Sequence, residues 1–255
     1  MDAHGASGLE ARPPLSGRAL TQRLRLRAQS RERRKRFGLL LVSITAVFAL
    51  EGIAAPGRVQ QVIISVLLTV TLGLSLWVAE ARRRVVVPTL VVSGLLSVAG
   101  IAAALAGHPE GRAVAVLNLL LATLAPPAII VGTARTLRAR KQVTVEAVFG
   151  VLCLYLLLGM LFAYLYSFIG KLNGGAFFAG GQTLTTAHSL YFSFTTLTTV
   201  GYGDFTASSN LGHTLSNAEA LIGQIYLVTI VSLIVGNLGL RRMDISNPDE
   251  PPTRQ

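Results

Sequence analysis

The chain has 255 residues, of which 51% are hydrophobic and only 14% charged, and its mean hydropathy is +0.56. Soluble domains carry about 25% charged residues, so a water-soluble globule is excluded and an integral membrane protein is indicated. The formal net charge of +11 would suggest nucleic-acid binding on a soluble protein, but the placement of the charges gives them a topological role, and no nucleic-acid partner is expected.

In chain order, residues 1–17 are rich in Gly, Pro and Ala and are expected to be disordered. Residues 18–36 are basic, with Leu20 and Leu24 on one helical face. Their charges are read chiefly as setting topology. The alternative is a basic helix on anionic inner-leaflet lipids, attracted by about 1 kcal/mol per basic residue. Six apolar segments then approach or exceed the roughly 20 residues that span a bilayer: Phe37–Ala55, Val62–Ala79, Val85–Ala106, Ala113–Ala134, Val145–Ile169 and Ala218–Leu240. The first resembles a signal peptide ending at Ala54-Ala55. Its basic region is far longer than a signal's, however, so the segment is expected to be retained. Glu51, near the outer end of the first span, is expected to reach the external interface, and Asn118 in the fourth is expected to hydrogen-bond between helices. Gly170–Gly181 reads as a glycine-rich external turret. His188–Leu197 is apolar but only half a span long, so it must be re-entrant or lie outside the membrane.

The basic residues give the topology. Of 23 lysines and arginines, ten precede the first span, and Arg82–Arg84, Arg135, Arg138, Arg140, Lys141, Arg241, Arg242 and Arg254 fall on the same side. The opposite side has only Arg58, Arg112 and Lys171. Under the positive-inside rule both termini are cytoplasmic and the number of spans is even. The expected organisation is a basic, partly disordered cytoplasmic segment (1–36), a four-helix membrane module (37–134), a cytoplasmic linker (135–144), a helix–half-helix–helix unit (145–240) and a disordered cytoplasmic tail (241–255). Of the basic residues 20 are Arg, a bias that hints at a GC-rich bacterial genome.

The most specific stretch is Thr198-Thr199-Val200-Gly201-Tyr202-Gly203-Asp204. Thr199–Gly203 is the peptide that potassium channels use as a selectivity filter. A filter must replace the water oxygens of a dehydrated cation with backbone carbonyls that all face one axis. A strand alternates its carbonyls, so the filter backbone must alternate between ordinary and left-handed torsions. Gly201 and Gly203 can adopt positive φ without a Cβ clash. The carbonyls of Thr199, Val200, Gly201 and Tyr202 would then hold K+, with a further oxygen from the Thr199 hydroxyl. One chain supplies a quarter of each ring, so four chains are required. A half-span ending at the bilayer centre would point the negative end of its dipole at the cation, and irregular backbone is tolerated there because it lines a path inside protein.

With these motifs, residues 145–240 resemble the pore domain of tetrameric potassium channels: outer helix, pore helix, filter and inner helix. The resemblance implies an all-α integral membrane fold of six transmembrane helices with a re-entrant pore helix and filter loop, in a voltage-gated-like layout. It implies that Tyr191 and Phe192 form the aromatic cuff, with the Tyr191 hydroxyl bonded to Asp204, and that Thr198 and Thr195 support the filter. Thr195 stands where some bacterial relatives place a glutamate, which bears on inactivation. Gly223 matches the family's gating hinge. Leu227, Val231 and Val235 follow it at four-residue steps and would line the inner pore as an apolar constriction.

The first four spans occupy the place of a voltage sensor without its chemistry. The fourth has no charge between Arg112 and Arg135 and is interrupted by Pro126-Pro127. A gating charge moved through 100 mV is worth about 2.3 kcal/mol, so weak or absent voltage gating is expected. The leading expectation is passive potassium conduction by a homotetramer in the plasma membrane. The alternatives are a potassium-transporter subunit or a membrane sensor module attached to a pore. An enzyme is not expected, because the chain shows no nucleophile–base pair and no metal-ligand spacing. No cofactor is expected beyond the permeant K+. Cys153, the single cysteine, sits in an apolar run and reads as a buried structural thiol.

Overall fold

A computed structural model describes residues 17–53, 57–79, 83–106 and 145–246, together with residues 116, 118–120 and 123 of the fourth apolar segment. Most of that segment and the 135–144 linker lie outside the described residues. The described elements are helices: α1 (Gly17–Ile53), α2 (Arg58–Val78), α3 (Arg83–Leu105), α4 (Val145–Leu172), a 3-10 turn at Ala179–Gly181, α5 (Thr186–Leu197) and α6 (Asn210–Ser246). Among the described residues there is no strand, only an isolated bridge between Phe178 and Ala207. Three stretches are long and apolar enough to cross a membrane, Arg34–Ile53, Val59–Val78 and Val148–Leu172, and Val86–Ala102 is apolar but shorter. The protein is a membrane protein with an all-helical described structure.

Two boundaries differ from the sequence expectation. The basic segment and the first span form one helix, α1, of 37 residues, about 55 Å long at 1.5 Å per residue. Nothing between Arg18 and Arg36 breaks a helix. At the other end, α6 runs on to Ser246, so residues 241–246 of the expected disordered tail are helical. Arg241, Arg242 and Met243 propagate a helix well.

The core is a seam. Phe37, Leu40, Ile44 and Val47 recur at three- and four-residue steps on α1 and are at most 2% exposed. They join Ile64, Leu68, Leu72 and Leu76 of α2 and Cys153, Leu157 and Met160 of α4 in one buried cluster, the stripe that helical periodicity dictates. The buried Cys153 fits its expected structural role. The opposite faces carry Val42, Val66, Leu95, Val98 and Leu152, all exposed, as suits helices solvated by lipid.

The seam corrects the reading of Glu51. One step of four beyond Val47, it falls on the inward face of α1. It is 3% exposed, and the Tyr164 hydroxyl of α4 donates to its Oε1 at 2.9 Å. It therefore does not reach the external interface. Asn118 behaves as expected: it is buried, and the Gln61 amide of α2 donates to its Oδ1 at 3.3 Å. Ser43 and Thr71 bond at 2.7 Å between α1 and α2, and Thr69 bonds Ser97 between α2 and α3. Such pairs satisfy polar groups that lipid cannot.

Candidate functional site

The site is built on α5. Its twelve residues span about 18 Å, half a bilayer core. Thr185 caps it: the His188 N–H donates to the Thr185 Oγ1 at 3.1 Å, replacing a helical partner that the first turn lacks. A second contact, between the His188 ring Nδ1 and the Thr183 carbonyl at 2.7 Å, fixes the entry. On one side α5 presses against α4 so closely that a Cβ at Gly159 would stand 2.7 Å from the Phe194 ring. From α1, Phe48 meets the same ring edge-on at 4.8 Å between centroids.

The C-terminal end of α5 turns the chain sharply. The Thr195 carbonyl accepts the N–H groups of both Val200 (2.8 Å) and Gly201 (3.1 Å), and the Thr199 N–H reaches the Thr196 carbonyl at 2.9 Å. The Thr198 hydroxyl bonds back to the Phe194 carbonyl at 2.6 Å. The Thr195 hydroxyl is spent within its own helix, on the Phe192 carbonyl at 3.0 Å. Thr195 thus ties the following loop through its backbone. Beyond the turn, three alternate residues are left-handed: Thr199 (φ 58), Gly201 (φ 52) and Gly203 (φ 79). Thr199 is the one non-glycine residue with positive φ among the described residues, a conformation that costs an L-residue about 1–2 kcal/mol. The Gln224 amide of α6 donates to the Thr199 Oγ1 at 2.8 Å.

The outer end of this loop is framed by rings. Tyr191 and Tyr202 stack with planes 10° apart and centroids 6.3 Å apart, and Phe205 meets Tyr191 edge-on at 5.7 Å. The Phe205 N–H donates to the Asp204 Oδ1 at 3.1 Å, and the Gln182 amide donates to the Asp204 carbonyl at 2.7 Å. Phe192 points the other way, into a buried cluster with Tyr166, Phe177 and Phe178. The glycine-rich turret is partly a packed frame. Phe177 and Phe178 are buried, and the Ala179 and Ser208 N–H groups bond across to Thr206 and Phe177 carbonyls at 2.8 and 2.9 Å.

From below, α6 lies against the end of α5. A Cβ at Gly223 would stand 2.3 Å from the Leu197 carbonyl oxygen and 2.9 Å from its Cδ1. The Tyr155 hydroxyl of α4 donates to that same carbonyl at 3.4 Å. Tyr155 in turn stacks on Tyr226, whose hydroxyl donates to the Val151 carbonyl at 2.5 Å. Leu227 is partly exposed on α6. Val231 and Val235 lie on the same helix, and their side chains are outside the description.

Three functional candidates escaped sequence reasoning. Glu219 of α6 is 0% exposed and bonds both Tyr166 and Ser193. Gln224 touches Thr199, and Tyr155 supports the Leu197 carbonyl. Only Glu219 carried a sequence signal, as an acid inside an otherwise uncharged apolar run.

With this geometry in place, residues 150–238 match the family model described as an ion channel. Neither the curated proteins nor the solved structures gave a match. That stretch, from α4 into α6, is thus similar to an ion channel domain, and no metal-binding group of His, Cys, Asp and Glu occurs among the described residues.

Proposed function

We propose that this chain is one subunit of a potassium-selective channel, a homotetramer that passes K+ passively through a pore lined by the carbonyls of Thr199, Val200, Gly201 and Tyr202. The observation that carries the reading is the alternation of left-handed residues at 199, 201 and 203, directly after a half-length helix, in the peptide Thr-Val-Gly-Tyr-Gly. Alternating torsions are what would aim successive carbonyls at one axis. Four-fold assembly is supported by what a single chain leaves open. Val200 and Tyr202 are 52% and 71% exposed, and they border a groove of about 410 Å³ with Phe48, Gly52 and Thr198. A neighbouring subunit would cover these apolar surfaces. The fourth apolar segment, uncharged between Arg112 and Arg135, supports weak or absent voltage gating, and the charge asymmetry supports cytoplasmic termini.

Reconstitution in liposomes tests this. Purified protein is expected to pass barium-sensitive K+ flux far above Na+ flux, with little dependence on imposed voltage. Equal sodium flux would overturn selectivity, and steep voltage dependence would overturn the reading of the first four helices. A transporter would instead show slow, saturating turnover.

Gln224 adds a second test. Gln224→Leu removes the donor to the Thr199 Oγ1. A net hydrogen bond is worth about 0.5–1.5 kcal/mol, roughly two- to tenfold in an equilibrium. The K+/Na+ permeability ratio is expected to fall by about that factor, with assembly unchanged. An unaltered ratio would separate Gln224 from selectivity.

A further inference from the structure

Where α5 packs between α4 and α6, the three helices meet at one oxygen atom. The Ser193 Oγ of α5 lies 2.6 Å from the Gly159 carbonyl of α4 and 2.5 Å from the Glu219 Oε1 of α6. The Tyr166 hydroxyl of α4 donates to the other carboxyl oxygen, Oε2, at 2.7 Å. Ser193 and Glu219 are both 0% exposed and Tyr166 is equally buried.

The protons can be counted. Ser193 has one hydroxyl proton and two oxygen neighbours at hydrogen-bond distance. The Gly159 carbonyl can only accept. If Glu219 were a carboxylate it could only accept too, and one of the two short O···O contacts would hold no proton. Two bare lone-pair oxygens do not rest 2.5–2.6 Å apart, because such distances belong to O–H···O bonds. A neutral carboxyl resolves the count. The Oε1–H of Glu219 donates to the Ser193 Oγ, Ser193 donates to the Gly159 carbonyl, and Tyr166 donates to the Oε2. Every polar atom of the knot then has a partner, as burial demands.

We infer that Glu219 is held as the neutral acid and acts as a positioning residue, fastening the half-helix α5 to α4 and α6 and so fixing the backbone that follows it. The geometry gives the lever. Ser193 lies six residues before Thr199, and beside it the missing Cβ of Gly159 leaves room for the Phe194 ring against α4. Glu219 stands one turn before Gly223, where α6 touches the end of α5. The two contacts therefore hold α5 at its middle and at its tip. The role in conduction rests on the potassium-channel reading, whereas the proton and the docking of α5 do not.

The test uses the full chain in lipid. Infrared difference spectra between wild type and Glu219→Gln are expected to show a protonated-carboxyl band lost in the variant. Glu51 is present in both proteins and cancels. In Tyr166→Phe the band should move to higher frequency, because the carbonyl loses its donor. Glutamine offers an N–H donor and a carbonyl acceptor in the same places, so it should retain potassium flux within about twofold, whereas Glu219→Leu should lower flux about tenfold or more as each subunit forfeits buried bonds. Amide hydrogen exchange of α5 reads the docking without conduction: it should rise in Glu219→Leu and stay at the wild-type level in Glu219→Gln. Absence of the band, or a Glu219→Leu protein with native exchange and flux, would overturn the inference. A wild-type protein that passed no potassium would overturn the channel reading alone, with the band and the exchange still deciding the role of Glu219.

Discussion

Gly223→Ala is expected to abolish potassium flux and to weaken or destroy the oligomer. In an exposed helix interior the same change would stabilise by about 1 kcal/mol, because alanine is the better helix former. The surroundings decide otherwise. The new Cβ would lie 2.3 Å from the Leu197 carbonyl oxygen and 3.2 Å from its carbonyl carbon. These are backbone atoms at the end of α5, so no rotamer change relieves the contact. Overpacking against side chains costs about 1–3 kcal/mol, and against backbone the relief must come from moving α6 or the end of α5. Either movement displaces the turn that sets Thr199. Liposome flux and size-exclusion chromatography check the result. Gly94→Ala is the control, since nothing lies within 4 Å of its added Cβ, and it should leave both readouts unchanged. The outcome also separates two roles for Gly223. A glycine kept only so that the helix can bend would tolerate alanine in assembly and lose only opening. Native assembly with impaired opening would favour the hinge, and native behaviour in both would show that α6 is not seated on Leu197 as described.

What the sequence disclosed follows from how local each feature is. The short α5 and the left-handed Gly201 and Gly203 are encoded within a few residues, and both were legible, whereas the Thr185 cap emerged only with the structure. Thr199 was not, because its positive φ is imposed by its neighbours: the two N–H groups converging on the Thr195 carbonyl and the Gln224 amide arriving from 25 positions away. The Glu219 knot joins residues 26 and 53 apart, beyond any periodicity argument. Glu51 failed for a different reason. In a helix that is apolar on every side, pattern does not say which face packs and which meets lipid. The inward stripe Phe37–Leu40–Ile44–Val47–Glu51 emerged only once α2 and α4 lay against it. The phenylalanines of the turret were likewise hidden among glycines that suggested a loose loop.

Gly201→Ala is expected to give the opposite separation of effects: intact assembly and lost selectivity. No atom of the same chain lies within 4 Å of a Cβ added at Gly201, so the fold of the subunit should survive. The cost is conformational. Gly201 has φ +52, where an L-residue pays about 1–2 kcal/mol, and four subunits would pay it around one axis. The cheapest relief is to turn the 200–201 peptide plane, which breaks the bond from the Gly201 N–H to the Thr195 carbonyl and would rotate the Val200 carbonyl away from its neighbours in the proposed ring. A ring missing one set of oxygens no longer replaces the water of a dehydrated K+ better than that of Na+. The K+/Na+ flux ratio should therefore collapse toward one in oligomers that still elute as wild type. Thr199 sharpens the point. The chain bears the same torsional cost there and keeps a hydroxyl, but Gln224 secures that residue and nothing comparable secures an alanine at 201. D-alanine, which favours positive φ, introduced at position 201 by semisynthesis should restore the ratio, because it supplies the methyl group without the strain. If L-alanine retained potassium selectivity, the left-handed torsion at Gly201 would not be what selects the ion. If both enantiomers lost it, the methyl itself would be at fault.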